Sequence, residues 1–191
     1  MSRVGVLAIQ GDVAAHARIL TAMGAEPVPV LREEQLPELD ALILPGGEST
    51  TISKGMDRLK LWDPIRAFVR SGRPLLGTCA GAILLAKGVK RAPVPTLGLL
   101  DAVAVRNAYG TQVDSFATEV DEGAAPGLDG LRCVFIRAPQ LVSLGPSVEV
   151  LAHVDGRPVL VRQNNLLAAT FHPELTPDPR LHTLLLSGDG V

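Results

Sequence analysis

The sequence predicts an α/β fold: a single domain with an open, mostly parallel sheet flanked by helices, and with additional short strands in its second half. Three observations predict this fold. The chain has 191 residues, a length that suits one domain with a sizeable core. Its first half alternates short apolar runs, closed by polar or glycine-containing turns, with helix-like stretches. Only six residues are aromatic, so aliphatic side chains must fill the core, as in a sheet buried on both faces.

The first half contains the elements of a doubly wound sheet. Residues 4–9 form a continuous apolar run closed by Gln-Gly-Asp, which indicates a buried parallel strand followed by a helix over about 13–23. The later elements of this half are strands over 26–30, 41–44 and 74–77, a helical stretch that carries Leu59, Leu61, Ile65, Phe68 and Val69, and a helix over 80–87. The turn Ser71-Gly-Arg-Pro74 separates the last two helices.

The second half changes character, because its apolar pieces are shorter and are separated by Gly, Asp or Pro. The predicted strands cover 99–105, 116–120, 133–136, 148–154, 158–161 and 166–171, and a closing helix covers about 179–186. The dipeptide Asp155-Gly156 predicts a hairpin turn, because glycine tolerates the positive φ that such a turn requires.

Composition excludes several function classes. The formal net charge is −2 and basic residues are scattered, which argues against nucleic acid or an anionic membrane as a partner. The first apolar run is too short for a signal-peptide core, and no other run approaches the roughly 18 residues of a membrane span, so we expect a cytoplasmic protein. In that reducing compartment Cys79 and Cys133 are expected to be free thiols.

The sequence Gly77-Thr-Cys-Ala-Gly81 stands where a predicted strand turns into a helix. Glycines two before and two after a nucleophile allow the strained turn of the G-x-S-x-G elbow, here with cysteine in place of serine. The helix N-terminus favours the thiolate of Cys79, and the backbone N–H of Ala80 points where an oxyanion forms. A small buried cysteine in a glycine-rich turn produces the same pattern, so the elbow alone leaves both interpretations open.

A second motif, His172-Pro-Glu174, follows the predicted strand 166–171. Open α/β sheets place their sites at the carboxyl ends of strands. In extended chain, positions two apart face the same side, so Glu174 can orient the imidazole of His172. A lone His-x-Glu is usually a surface pair, but together with the cysteine elbow it completes a Cys-His-Glu triad. The other histidines, His16, His153 and His182, are interpreted as surface or packing residues.

The loop Pro45-Gly-Gly-Glu-Ser49 leaves the carboxyl end of another predicted strand. Its adjacent glycines allow the backbone to approach a ligand closely, and Gly47 is therefore our candidate for the second oxyanion donor. The same loop also fits a helix start in which Ser49 is the N-cap. Both interpretations can hold together.

These motifs resemble those of the triad-type, class I glutamine amidotransferases, and within them the family of glutaminase subunits of pyridoxal 5'-phosphate synthase. The resemblance rests on motifs that occur in order along nearly the whole chain, Leu7-Ala-Ile-Gln-Gly-Asp12, Gly46-Gly-Glu-Ser-Thr-Thr51, the elbow 77–81, Arg106-Asn-Ala-Tyr-Gly110 with Asp114-Ser-Phe116, Arg137-Ala-Pro139 and His172-Pro-Glu-Leu-Thr176. It implies one flavodoxin-like glutaminase domain over residues 1–191.

The resemblance also implies site roles. Cys79 is the implied nucleophile, with His172 and Glu174 as its relay partners. The residues implied to hold L-glutamine are Gly47, Glu48, Ser49, Arg106, Ile136 and Arg137. An arginine can clamp the α-carboxylate of glutamine, and Glu48 or a carbonyl can receive its α-ammonium, although an arginine in a surface ion pair would look the same in sequence. One departure is Thr111, which stands where the family commonly has arginine, so a contact made by that arginine is not carried over.

We therefore expect hydrolysis of L-glutamine to glutamate and ammonia through a cysteine thioester, with Gly47 and Ala80 as the oxyanion hole and no metal or organic cofactor. One glutaminase domain leaves no room for an ammonia acceptor. The resemblance names the acceptor as a separate ring-forming synthase subunit in a large hetero-oligomeric complex. The flexible Gly46-Gly47 pair further suggests that the isolated chain is weakly active until docking orders the oxyanion hole.

Three alternatives remain at this point. The chain could supply ammonia to another acceptor, such as an imidazole glycerol phosphate synthase. It could be a cysteine peptidase, which would cleave peptides and ignore free glutamine. It could also be a binding module with a relic elbow, which a glutamine-mimicking electrophile would fail to label.

Overall fold

The computed structural model describes residues 1–107 and 115–187, and within them strands and helices alternate in the first half while strands predominate in the second. The helices are α1 (Val13–Ala22), α2 (Ser49–Arg58), α3 (Trp62–Arg70), α4 (Ala80–Leu85) and α5 (Arg180–Ser187). The strands are β1 (Arg3–Leu7), β2 (Glu26–Val30), β3 (Ala41–Leu44), β4 (Leu75–Thr78), β5 (Ala86–Lys90), β6 (Leu100–Val105), β7 (Ser115–Glu119), β8 (Arg132–Ile136), β9 (Gln140–Val142), β10 (Glu149–Val154), β11 (Arg157–Gln163) and β12 (Leu166–Ala169). Two 3₁₀ turns cover Glu33–Glu38 and Pro173–Leu175.

A seven-stranded sheet forms the centre of the molecule, in the order β10-β11-β12-β4-β3-β1-β2. The five strands from β12 to β2 are parallel. At one side of them β11 pairs antiparallel with β12, and β10 pairs antiparallel with β11. The smaller sheets are β5-β6-β9 and β7-β8. This is the α/β architecture with a mostly parallel sheet and extra short strands that the sequence predicts.

Both faces of the central sheet are buried, which explains its continuous apolar strands. Along β3, Leu42 and Leu44 enter one core cluster, whereas Ala41 and Ile43 enter the other. Neighbouring β4 divides in the same way, with Leu75 on one face and Leu76 on the other. The side chains on both faces of these strands are therefore buried, and the carboxyl edge of the sheet lies between two packed layers.

The predicted helix that carries Leu59 to Val69 is wrong in one respect, because the structure has two helices there. Lys60 adopts a positive φ of 56° and ends α2. The N–H of Leu61 donates to the carbonyl of Met56, and that of Lys60 to the carbonyl of Asp57, which together form a Schellman motif. Leu59 is the C-cap of α2, and α3 starts at Trp62.

The predicted helix over 80–87 is too long, since α4 ends at Leu85. Ala86 has an extended ψ of 151°, and the chain continues as β5, which pairs with β6. Pairing with a distant strand thus replaces the last helical turn. Strand β9 and the 3₁₀ turn Glu33–Glu38 were not predicted from the sequence.

The hairpin prediction at Asp155-Gly156 is confirmed. These residues connect antiparallel β10 and β11 with φ values of 49° and 69°, as a two-residue hairpin turn requires. The carboxylate of Asp121 accepts hydrogen bonds from both of their backbone N–H groups. As for membranes, no helix among the described residues has the length and apolar character to cross one.

Candidate active site

Three chain segments meet at the carboxyl edge of the central sheet. Strands β12, β4 and β3 are adjacent and parallel, and Ala169 pairs with Thr78 while Leu44 pairs with Gly77. Because their ends are in register, the residues that follow them lie together. A cavity of about 360 Å³ opens there, and its lining includes Gly47, Glu48, Ser49, Cys79, Ala80, Arg106, Ile136, Arg137 and His172. Every sequence-predicted site residue except Glu174 therefore lines this cavity.

Cys79 lies in a strained turn between β4 and α4. Its φ of 46° and ψ of −102° lie outside the ordinary regions for a residue with a side chain, a strain that costs about 1–3 kcal/mol. A Cβ on Gly77 would lie 2.7 Å from the carbonyl oxygen of Gly81, and a Cβ on Gly81 would lie 2.0 Å from that of Leu44. Both elbow glycines are thus required by close approach of backbone atoms, as the sequence motif predicts.

His172 is oriented from two sides. Its backbone N–H donates to the carbonyl of Val134 in β8, and its Nδ1 lies 2.7 Å from Oε1 of Glu174. Burial disfavours the charged imidazole, but hydrogen bonds and charge from Cys79 and Glu174 outweigh burial and raise the pKa of His172 to about 10. The arrangement therefore favours an imidazolium that faces the sulfur of Cys79 and is supported by the carboxylate of Glu174.

The glycine loop after β3 packs against Thr78 at the end of β4 and against Gln10. The N–H of Gly46 donates to Oγ1 of Thr78 at 3.0 Å. Gly47 has a positive φ of 153°, and a Cβ at this position would lie 2.5 Å from Oε1 of Gln10. The same Gln10 oxygen accepts the N–H of Glu48 at 2.7 Å. A side chain at position 47 would have to displace the amide of Gln10 and would be strained at this φ, which favours glycine.

Glu48 begins α2 and also contacts Arg106. Its carboxylate accepts the N–H groups of Thr50 and Thr51, so the N-cap is Glu48 and not Ser49, which is buried. Burial opposes ionisation, but these hydrogen bonds outweigh burial and lower the pKa of Glu48. Arg106 donates from Nη2 to Oε1 of Glu48 at 3.2 Å and from Nη1 to the carbonyl of Ala92 at 2.7 Å.

Ile136 and Arg137 form the wall of the cavity opposite the loop. The carbonyl oxygen of Ile136 lies 3.9 Å from Sγ of Cys79. Arg137 is exposed and adopts a positive φ of 42°, which marks a sharp turn directly after β8. The β7-β8 ribbon thus brings one carbonyl close to the sulfur of Cys79 and places one arginine on the lining of the same cavity.

Comparison with known proteins agrees with this geometry. The profile of the SNO glutamine amidotransferase family matches residues 6–187. The chain belongs to this family. It is 52% identical to "Pyridoxal 5'-phosphate synthase subunit PdxT" of Frankia alni, over 96% of this chain and 93% of that protein. It is 49% identical to the protein of the same name from Shouchella clausii, over 94% and 91%.

A solved structure, "Crystal structure of glutamine amidotransferase", superposes with a TM-score of 0.91 at 49% identity and covers 97% of both chains. The fold class predicted from the sequence is therefore confirmed, and a glutamine amidotransferase shares it. The family resemblance stated from the motifs is confirmed as well.

Two histidines of this family member have a setting that the sequence analysis missed. His16 on α1 and His182 on α5 are both fully buried, whereas we interpreted them as surface or packing residues. Nε2 of His16 lies 3.4 Å from Oε2 of Glu174, and its Nδ1 lies 2.9 Å from Nε2 of His182. The one available signal was helical spacing, which puts His16 on the same face as the buried Leu20.

In the part of the chain that the structure describes, the candidate metal ligands include His172. Within residues 1–107 and 115–187, the group of three potential ligands is Asp12, His172 and Glu174, whose ligand atoms lie within 4.8 Å of one another. Since Nδ1 of His172 and Oε1 of Glu174 already form a hydrogen bond, a bound metal would compete with that contact. The predicted motif residues at 108–114, including Thr111, lie outside the described residues.

Proposed function

We propose that this chain is the glutaminase subunit of a pyridoxal 5'-phosphate synthase. It hydrolyses L-glutamine to L-glutamate and ammonia, and a separate ring-forming subunit uses the ammonia. The observation that carries the proposal is the meeting of Cys79, His172 and Glu174 at one sheet edge, in a chain about half identical to proteins named as subunits of that synthase. The whole chain, residues 1–191, forms the glutaminase domain.

The first chemical step is attack by the thiolate of Cys79 on the side-chain amide carbon of glutamine. A C–S bond forms, and the electron pair of the carbonyl moves to its oxygen. The N–H groups of Gly47 and Ala80, both at the cavity, hold this oxyanion. As the first residue of α4, Ala80 has no intrahelical acceptor for its N–H, which leaves that donor available.

The second step expels ammonia. The imidazolium of His172 gives its proton to the departing amine, the C–N bond breaks, and the thioester remains. The neutral imidazole then takes a proton from water, which attacks the thioester and releases glutamate and the thiolate. Glu174 accepts from Nδ1 of His172 throughout and so fixes the ring in the tautomer that presents Nε2 to the reaction.

The two charged groups on the α-carbon of glutamine match the pair Arg106 and Glu48. The guanidinium of Arg106 offers donors to the α-carboxylate, while Glu48 presents its carboxylate to the α-ammonium. The two side chains meet at 3.2 Å across the cavity wall, so each holds the other in place before substrate binds. Ser49, Ile136 and Arg137 complete the binding wall.

The partner takes the ammonia and activates the glutaminase. The oxyanion donor Gly47 belongs to a loop that packs on Gln10, so a partner that contacts this region changes the loop directly. We expect the ring-forming subunit to raise glutamine hydrolysis well above the rate of the isolated chain. Equal turnover with and without it would contradict this part of the proposal.

The test is glutamate release by the purified chain in the presence of the ring-forming subunit. Cys79→Ala and His172→Asn should each lower turnover by more than about 10³-fold. Cys133→Ala is the matched control, because burial raises the pKa of Cys133 to about 12 and keeps that thiol protonated. A glutamine-mimicking electrophile should modify Cys79 and leave Cys133 untouched. Near-normal turnover by Cys79→Ala would overturn the proposed function.

A further inference from the structure

Behind the triad, the carboxylate oxygen of Glu174 that does not contact His172 faces a ring nitrogen of His16 inside the protein. Glu174 uses Oε1 for His172, and its Oε2 lies 3.4 Å from Nε2 of His16. The side chains of both residues are fully buried. Among the described residues, neither atom has a hydrogen-bond partner, and the 3.4 Å contact between them is longer than an ordinary hydrogen bond. A buried carboxylate oxygen facing a ring nitrogen in this way requires a proton between them, since two lone pairs would repel.

The contact between His16 and His182 decides where that proton lies. Their 2.9 Å hydrogen bond, from Nδ1 to Nε2, needs one donor and one acceptor. If His16 donated from Nδ1, its neutral ring would turn a bare Nε2 towards the carboxylate. If His182 donates from Nε2 instead, His16 carries its proton on Nε2, where Glu174 can accept it. The second arrangement is therefore the favourable one.

Both histidines remain neutral in this arrangement. Burial, together with the neighbouring rings of His182 and His172, lowers the pKa of His16 well below its usual value. Burial lowers the pKa of His182 to about 4. A neutral donor matters here, because a lysine or arginine in the same place would neutralise the carboxylate on which the imidazolium of His172 depends.

We propose that His16 is a positioning residue for glutamine hydrolysis, which holds the second oxygen of Glu174 through its Nε2–H, and that His182 fixes the required tautomer of His16. This inference rests on the proposed function, because it assigns a role within the same triad. A shift of about 0.5 Å brings the 3.4 Å contact into ordinary hydrogen-bond range, so the contact can close as positive charge settles on His172.

In this arrangement both carboxylate oxygens of Glu174 are held, one by His172 and the other by His16. Helices α1 and α5 come from opposite ends of the chain, and each supplies one histidine to the same buried line of contacts. With only Oε1 held, the carboxylate could rotate about its last bond and carry the imidazole with it. With both oxygens held, the ring of His172 keeps its direction towards Cys79.

The kinetic test compares His16→Leu with His16→Gln, each assayed with the ring-forming subunit. Leucine keeps apolar volume but has no donor, so kcat should fall about tenfold while KM for glutamine stays unchanged. The amide nitrogen of glutamine can occupy the place of Nε2, so His16→Gln should recover most of that loss. His153→Gln, on the outer strand β10, is the control and should behave as the unmodified chain. An unchanged kcat in His16→Leu, or equal losses in both His16 variants, would overturn the proposal.

A second measurement does not depend on activity or on how well a variant folds. Nitrogen-15 NMR of the unmodified chain should show the proton on Nε2 of both His16 and His182 at neutral pH. A proton on Nδ1 of His16 would overturn the tautomer assignment. If Cys79 is required for glutamine turnover but these results fail, only the positioning role is lost; if Cys79 is not required, the proposed function itself fails.

Discussion

A Cβ on Gly46 would lie 2.4 Å from Cε1 of His172 and 3.3 Å from Cβ of Cys79. The glycine loop therefore sets how closely the imidazole and the sulfur can approach, in addition to supplying the proposed oxyanion donor at Gly47. A side chain at position 46 would therefore push against the imidazole of His172 and crowd Cys79, so the loop or these side chains would have to shift.

We predict that Gly46→Ala lowers glutamine turnover by more than about 100-fold, because a displacement of roughly 1 Å at a reacting centre has an effect of this size. Glutamate release by the complex measures it. Gly88→Ala is the matched control, since nothing lies within 4 Å of a Cβ there, and its turnover should be unchanged. Full activity in Gly46→Ala would contradict the loop geometry.

Arg106→Gln should raise KM for glutamine by about 10-fold or more with a smaller effect on kcat. The substitution removes the charge-assisted hydrogen bonds that we assign to the α-carboxylate, each of which is worth about 1.5–3 kcal/mol. Steady-state kinetics over a range of glutamine concentrations separates the two constants. Arg162→Gln, which breaks only the half-exposed pair with Glu149, serves as the control. A fall in kcat at constant KM would place Arg106 outside the substrate contacts.

The proton on His172 should persist to unusually high pH. Its pKa is raised to about 10 in the folded chain, so the imidazolium dominates at neutral pH and is lost as pH rises through about 10. Two of the contributions that raise this pKa come from Cys79, so Cys79→Ala should lower it, while Cys133→Ala should not. Titration of the ring by nitrogen-15 NMR tests both statements. A pKa near 6.5 in the unmodified chain would show that Cys79 and Glu174 do not stabilise the imidazolium of His172.

Asp178→Ala should lower the free energy of unfolding by about 1–2 kcal/mol, because the carboxylate accepts the backbone N–H of Arg180 at the start of α5. Contacts with the guanidinium of Arg180 lower the pKa of Asp178. This stabilisation is therefore complete above the ordinary pKa of 3.8 and is lost as pH falls through the lowered native value. Urea denaturation at several pH values measures it. If the difference in unfolding free energy between the unmodified chain and Asp178→Ala does not change with pH, the ion pair between Asp178 and Arg180 does not stabilise the fold.

The parts of the fold that the sequence predicts are those governed by local patterns. Strands β2 and β3 have the predicted bounds, because a short apolar run between polar turns leaves little choice. The break at Lys60 could not be predicted, since a lysine there carries no sign of the positive φ that glycine would signal. Strand β5 was missed because its partner β6 lies further along the chain and its own sequence also suits a helix.

The same distinction applies to the site. Cys79, His172 and the glycine loop each follow a strand, so their meeting follows from the parallel sheet. The contacts of Glu174 with His16 and of His16 with His182 depend on how α1 and α5 pack beside the 3₁₀ turn Pro173–Leu175. The spacing of residues along the sequence does not predict that packing. The N-cap at Glu48 was likewise hidden, because the motif offers two neighbouring residues that can both cap a helix.

The backbone N–H of Cys79 donates to the carbonyl of Ala169 at 2.8 Å, which continues the β4-β12 ladder one step past the end of β4. This bond attaches Cys79 to the central sheet beside the end of β12, the strand that precedes His172, whereas Gly47, Glu48 and Arg137 lie in loops. Substitutions in those loops can consequently alter substrate binding or activation while the sheet keeps Cys79 and His172 in place.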